Sequence, residues 1–266
     1  MLNATQINNA NVLKSEMTKS GITNPFMQTA ILAIAYKESG FKPSAQEVSY
    51  ATTSNERIRS IFSKTKSLTD AQLDALKKDK VAFFNYVYNG IIGNGATDGY
   101  KFRGRGFNQL TGRANYDAYG KRIGADLVSN PDLVSTPDMA SKVLISFMKT
   151  GIENLKRVGK FFGKDINDVP DQKTAYNAVY NINAGAGKNL YDAQGNIKAD
   201  TTGGYTKGFD SLAYLSQAIV KANTAIKDAT KKGVEGVKKK PLTTIVLTTL
   251  LIVSGYLIYK YGIKKK

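Results

Sequence analysis

The sequence predicts a mainly α-helical domain, interrupted by one glycine-rich loop with room for a small β segment. A single apolar helix long enough to span a membrane follows it. Three observations carry this reading. Apolar residues recur at helical spacing through several stretches before residue 232. Glycines at 90, 93, 95, 99, 104, 106 and 112 concentrate in one stretch. Residues 242–259 form an uncharged run between lysine clusters.

The elements follow in order. Residues 4–19 read as a first helix, closed by Gly21 and Pro25. The second runs over 25–39, with Phe26, Ala30, Ile31, Ile34, Ala35 and Glu38 on one broad face. Gly40 stops it and Pro43 confirms the stop. A short helix is expected over 56–62. Another begins near Thr69, capped by Thr69 or Asp70, and continues to Tyr88. The glycine-rich stretch 90–112 reads as loop, with a small hairpin. Helical pattern resumes over 136–156 and 172–183, and 183–208 is polar and glycine-rich. An amphipathic helix over 211–232 precedes Lys238, Lys239, Lys240 and Pro241. The uncharged run then spans about 27 Å as a helix. Tyr256, Tyr259 and Tyr261 sit at its far end as an interfacial belt, with lysines beyond.

The implied organisation is a domain over 1–225, a basic linker over 226–241, a transmembrane helix over 242–261 and a basic tail over 262–266. Both flanks of the helix are basic, so its orientation stays open. The N-terminus lacks the basic segment and apolar core of a secretory signal.

The chain has no histidine and no cysteine. Ser-His-Asp and Cys-His catalysis, disulfides and His or Cys metal sites are therefore excluded, and no cofactor is expected. The net charge is +17. Ten lysines against Asp228 and Glu235 lie from Ile226 onward, which leaves the body at +9. Such a charge favours polyanions: nucleic acid, anionic lipid or wall polymers. The body's basic residues are scattered, so no specific nucleic-acid partner is expected.

Glu38 ends an apolar helix. The negative end of the helix dipole, together with Ile34 and Phe41, disfavours its charge, as a general acid requires. The plainer reading is a solvated last-turn glutamate. Glu47 is nine residues on. In a continuous helix it would face the other way, but Gly40 and Pro43 let the chain turn back. Two carboxylates across a cleft are the equipment of glycoside hydrolysis.

A third segment bears on the choice: Tyr100-Lys101-Phe102-Arg103-Gly104-Arg105-Gly106-Phe107-Asn108-Gln109-Leu110-Thr111-Gly112, followed by Asn115-Tyr116. It resembles the signature of glycoside hydrolase family 19, the chitinases and related phage endolysins. Glu38-Ser39-Gly40-Phe41 resembles the family's His-Glu-Ser-Gly element. Glu47-Val48-Ser49-Tyr50, Tyr88-Asn89-Gly90, Asn130-Pro131-Asp132 and Ile182-Asn183-Ala184-Gly185 resemble further elements in the family's order, over roughly residues 20–210.

The resemblance implies a lysozyme-like fold and an inverting mechanism. Glu38 would protonate the glycosidic oxygen and Glu47 would activate water, with the carboxyls about 6.5–9.5 Å apart. Thr111 would position that water. Gln109, Asn115, Tyr116 and Asn183 match substrate-lining positions. Gln109 and Asn115 equally suit a loop brace, and Tyr116 a core position. Arg103 and Arg105 either meet acidic groups of the substrate or tie the loops to carboxylates within the domain. The glycine segment is expected as one wall of a cleft, the helix ending at Glu38 as its floor, and 183–208 as its far side. Departures are plain: Lys37 replaces the family's histidine, Ala184 replaces a glycine, and the chain has no tryptophan.

Chitin and peptidoglycan both suit such an enzyme. The basic body and apolar tail favour peptidoglycan glycan strands as substrate and a lipid membrane as the partner of 242–261. That implies a muramidase-type, endolysin-like protein of a bacteriophage or bacterium. It would act at entry from a virion internal membrane, or at lysis from the bacterial inner membrane. An inactive structural membrane protein, and a lytic transglycosylase using Glu38 alone, remain the rival readings. Oligomeric state is not legible.

Overall fold

The computed structural model describes residues 2–44 and 49–184. Glu47 and the elements expected beyond residue 184, among them the 211–232 helix and the apolar run 242–261, lie outside the described residues. Among the described residues no helix is long and apolar enough to cross a membrane.

The described chain is mainly helical, as the sequence predicts. In order come α1 (Ala4–Lys19), α2 (Pro25–Ser39), α3 (Asn55–Ile61), α4 (Asp70–Leu76), α5 (Lys80–Tyr88), α6 (Arg113–Ile123), α7 (Pro137–Arg157) and α8 (Gln172–Ala184). Single 3₁₀ turns cover Ser63–Ser67 and Pro131–Ser135.

α2 is the central element. Met27 through Ala35 are all buried, the pattern of a helix surrounded by protein. It starts cleanly because Pro25 suits the first turn and the Asn24 side chain accepts from the N–H groups of Phe26 and Met27. It packs against α8 and α1, and α7 closes the bundle against α1 and α8. Gly151 of α7 lies where a Cβ would fall 2.4 Å from Ile182 of α8, so those helices cross at close range. Burying Met27, Ile31, Leu32 and Ile34 contributes roughly 1.5–3 kcal/mol each.

A second core is aromatic. Phe62, Phe83 and Phe84, with Tyr50, Tyr88 and Tyr100 against them, fill the space between α3, α4 and α5. These helices contact one another and make a small lobe beside the large one. A third core of Phe102, Leu110, Tyr116, Leu127, Val134 and Val143 joins the glycine segment to α6 and α7.

Three expectations are corrected. The helix expected over 69–88 is two helices. Thr69 caps α4, and Asp79 restarts the chain by accepting from the N–H groups of Val81 and Ala82. The small hairpin reduces to one antiparallel bridge between Arg105 and Leu110. α6 was not expected at all. Gly112 precedes it with no side-chain cap, and Gly120 sits inside it, so both the start signal and the propensity are weak. Gly120 is there for space: a Cβ would lie 2.6 Å from the Ala125 carbonyl.

Candidate active site

Glu38 stands half-buried in the last turn of α2. The helix ends in two successive left-handed residues, Gly40 at φ 58° and Phe41 at φ 56°. Glycine takes that conformation freely; phenylalanine does not, at a cost of about 1–3 kcal/mol. Phe41 is held there from two sides. Its ring is buried, 5.4 Å from that of Tyr36. Its carbonyl accepts from the Asn9 amide at 2.8 Å, and that of Gly40 from Gln6 at 2.7 Å. α1 thus fixes the exit of the helix that carries Glu38. Nothing near Glu38 in sequence signals Gln6 or Asn9, which reach Gly40 and Phe41 from more than thirty residues away.

From the opposite side, the Asn183 amide of α8 donates to Glu38 Oε1 at 3.2 Å. These two predicted residues are brought together.

The glycine segment is a braced loop. The Gly106 N–H donates to the Pro43 carbonyl at 3.1 Å, joining the loop to the chain just after Glu38. Phe107 plunges into the main core, while Phe102 and Leu110 enter the third. Gly106, at φ 79°, admits no side chain, because a Cβ would sit 2.8 Å from Val134.

Three more predicted residues converge here. The Thr111 hydroxyl donates to the Gln109 carbonyl at 2.9 Å. The Asn115 amide donates to the Thr111 carbonyl at 2.8 Å, and the Gln109 amide to the Gly106 carbonyl at 3.1 Å. Gln109 itself is left-handed, at φ 51°. A Cβ on Gly104 would lie 2.9 Å from Gln109 Oε1 and 3.3 Å from Thr111 Oγ1, so the two polar ends meet over that glycine. With its O–H donated to a carbonyl, the Thr111 oxygen has lone pairs left to accept a hydrogen bond from water. Gln109 and Asn115 are therefore loop braces, and their half-buried side chains still border the segment's surface.

At Tyr116 and the arginines the structure shows the internal member of each pair of alternatives. Tyr116 is fully buried. Its hydroxyl donates to the Arg103 carbonyl at 3.0 Å and accepts from Arg105 Nη1 at 3.1 Å. Burial pushes its phenol above the ordinary range. It is a core residue and lines no cleft. Arg105, 2 % exposed, pairs with Asp132 at 2.8 Å and donates to the carbonyls of Lys101 and Arg103. Arg103 is buried against the Tyr100 ring, 4.0 Å from its centroid, and donates to the Tyr100 carbonyl. Burial, then the nearby Arg105, lowers its proton affinity. Both arginines tie loops together rather than present charge to solvent.

The approach loop at 89–99 is fastened to the start of α6. Asn94 accepts from the Arg113 N–H at 2.8 Å, the Ile92 carbonyl accepts from the Ala114 N–H at 3.0 Å, and Asp98 pairs with Arg113 at 3.2 Å. Ile92 is left-handed too, at φ 52°. Among the described residues, the three non-glycine residues with positive φ are Phe41, Ile92 and Gln109. Phe41 follows Glu38, Gln109 lies two residues before Thr111, and Ile92 packs against Gly112, the residue after Thr111. Strain of this kind gathers at functional sites.

The arrangement is a half-buried carboxylate at a helix end beside a braced, glycine-lined loop offering hydroxyl and amide groups. Such an arrangement suits a polar substrate. The comparisons make the class definite. The family model for chitinase class I, glycoside hydrolase family 19, matches residues 50–186, just over half of the chain. The protein belongs to glycoside hydrolase family 19. A glycosyl hydrolase family 19 domain-containing protein of Haemophilus influenzae is 26% identical over 176 residues, 63% of this chain and 85% of that protein. An acidic 27 kDa endochitinase of Solanum lycopersicum is 35% identical over 123 residues, 46% of this chain and 44% of that enzyme. The chain thus spans less than half of the tomato enzyme. The matched stretch contains Gln109, Thr111, Asn115 and Asn183, and begins after Glu38 and Glu47.

Proposed function

We propose that this glycoside hydrolase cleaves peptidoglycan glycan strands by inverting acid/base hydrolysis and is held at a membrane by residues 242–261. The observation that carries the chemical part is the seating of Glu38. α1 fixes its helix exit, Asn183 bonds its carboxyl, and the Gly106–Pro43 bond docks the family's glycine segment just beyond it. Glu38 is the general acid that protonates the leaving oxygen. Glu47 is the general base, taking a proton from water on the opposite face of the sugar. Thr111 accepts a hydrogen bond from that water's other O–H, which stays on the oxygen as it bonds the anomeric carbon and the leaving oxygen departs with the proton from Glu38.

The substrate assignment rests on charge and tether. A body of +9 suits the anionic wall polymers that accompany peptidoglycan, and lysine clusters bracket an uncharged run of spanning length. The protein then sits in a virion internal membrane or the bacterial inner membrane and opens the wall at entry or lysis. The tomato relative is an endochitinase, which makes chitin the rival substrate.

The test is digestion of purified peptidoglycan and of chitin oligomers by the detergent-solubilised chain, beside Glu38→Gln and Glu47→Gln. New reducing ends of inverted anomeric configuration from peptidoglycan, absent in both variants, are expected. Products from chitin alone would reassign the substrate. Anhydro-sugar products that survive Glu47→Gln would replace hydrolysis with transglycosylation.

A further inference from the structure

The chain leaving α2 is gripped at three points. The Gly40 carbonyl accepts from the Gln6 amide at 2.7 Å, the Phe41 carbonyl from the Asn9 amide at 2.8 Å, and the Pro43 carbonyl from the Gly106 N–H at 3.1 Å. Two of these donors belong to α1, and the third to the glycine segment that carries Thr111. The stretch 40–43 therefore sets the end of the helix bearing Glu38 in register with that segment.

The donors on α1 are themselves fixed. Gln6 closes a capping box with Asn3: its Oε1 accepts from the Asn3 N–H at 2.9 Å, and its own N–H donates to Asn3 Oδ1 at 2.9 Å. With the oxygen committed to Asn3, the NH₂ end of that amide is the one left to face Gly40. Asn9 is buried, one residue before Ala10 and one turn before Leu13, both fully buried in the main core. Its amide cannot swing away without unpacking α1.

What the grip holds is strained. Phe41, at φ 56°, is left-handed directly after left-handed Gly40. A phenylalanine keeps that conformation only where its surroundings impose it. Here its ring is buried and its carbonyl is bonded, so both ends of the residue are held. Without the two amides, Phe41 is free to relax to negative φ, and the last turn of α2 moves with it. A general acid has to meet the leaving oxygen at hydrogen-bond distance, so a displacement of about 1 Å there is costly. We propose that Gln6 and Asn9 are positioning residues for proton transfer: acting through Gly40 and Phe41, they hold the Glu38 carboxyl within reach of the glycosidic oxygen. This rests on the reading of Glu38 as the general acid, and it extends the apparatus of that step to the first helix of the chain.

Leaving-group dependence separates positioning of the acid from general loosening. The full chain in detergent is given a peptidoglycan tetrasaccharide, whose leaving oxygen becomes a sugar hydroxyl and needs the proton from Glu38. It is also given the dinitrophenyl β-glycoside of the disaccharide unit, whose phenolate departs as an anion and needs none. Chitotetraose and dinitrophenyl chitobioside cover chitin in the same way. Gln6→Met and Asn9→Ala are expected to lower kcat on the sugar leaving group about ten- to a hundredfold with KM unchanged, and to keep dinitrophenyl turnover within about twofold. Gln6→Glu keeps the capping box but cannot donate to Gly40, so it is expected to lose as much as Gln6→Met. Recovery in Gln6→Glu assigns the effect to the helix cap and overturns the proposal. An equal fall on both leaving groups, or a change in KM alone, overturns it too. Should Asn9→Ala fail to fold, the half-buried Gln6 carries the test alone. Glu38→Gln is the reference. If it spares the sugar leaving group, or lowers both substrates alike, Glu38 is not the acid; that reading falls, and the proposal with it.

Discussion

At the scale of single residues, Asn183 and Tyr116 make opposite predictions from similar sequence standing. Asn183 bonds the Glu38 carboxyl, and bonds to charged groups contribute about 1.5–3 kcal/mol. Asn183→Ala is therefore expected to lower kcat by about ten- to a hundredfold with little change in KM or thermal midpoint. Steady-state kinetics on solubilised wall substrate reads this directly; a change confined to KM would make Asn183 a binding residue only. Tyr116→Phe removes a hydroxyl that both donates and accepts inside the third core. It is expected to cost about 1–3 kcal/mol of stability and to leave kcat unchanged in the folded fraction. Denaturant unfolding beside kinetics separates the two. The sequence could not rank these residues. Both lie in motif positions, and only burial shows that one bonds the proposed acid and the other braces two arginines.

At the scale of elements, the helices with strong punctuation were legible and the others were not. Both α1 and α2 have Asn caps, α2 adds a first-turn proline and a Gly40 stop, α1 is capped at Ser20 just before left-handed Gly21, and the bounds of both are as expected. The break between α4 and α5 was overlooked because good helix formers stand on both sides of it, although the charged run Lys77-Lys78-Asp79-Lys80 interrupts the apolar spacing and Asp79 was a cap in plain sight. α6 was hidden because its start is fixed by neighbours rather than by a cap. Gly112 there has φ 86°, and a Cβ would fall 2.3 Å from Ile92. Gly112→Ala is thus expected to force the 89–99 loop off the start of α6 and shift Thr111. The expected result is a loss of about 2 kcal/mol or more in stability, with a fall in kcat. Ile92→Gly offers the matched test: it relieves the strained φ and empties the space, so in the double variant much of the lost stability should return. A double variant no better than Gly112→Ala alone would place the strain elsewhere.

At the scale of the whole molecule, the two lobes are held by different physics, and acid should part them in order. The large lobe rests on the apolar packing of α1, α2, α7 and α8; its paired acids Asp138 and Glu153, and Asp171 lowered by the Thr174 N–H, lie at its surface, Glu16 is buried beside Lys19, and none of them holds a lobe-joining loop. The small lobe adds to its aromatic core a set of paired acids. Hydrogen bonds from Arg59 lower Asp70, bonds from Lys77 lower Asp74, and the Gly95 N–H, then Arg113, lower Asp98. Groups lowered in the folded state give stability that is fully present above the unfolded value near 3.9. That stability is lost as pH falls through the lower folded values. Asp70 and Asp74 are exposed, so each contributes little. Asp98 is mostly covered and clasps the loop that joins the lobes, so its protonation should matter most. Between neutral pH and about 4, hydrogen exchange should be uniform in its pH dependence across the domain. Below that, amides of α3, α4, α5 and the 89–100 loop should lose protection before those of α2 and α7. Asp98→Asn should bring that early opening to neutral pH while leaving α2 protected. Simultaneous loss of protection in both lobes would show that the aromatic core, not the acid pairs, sets the small lobe's stability.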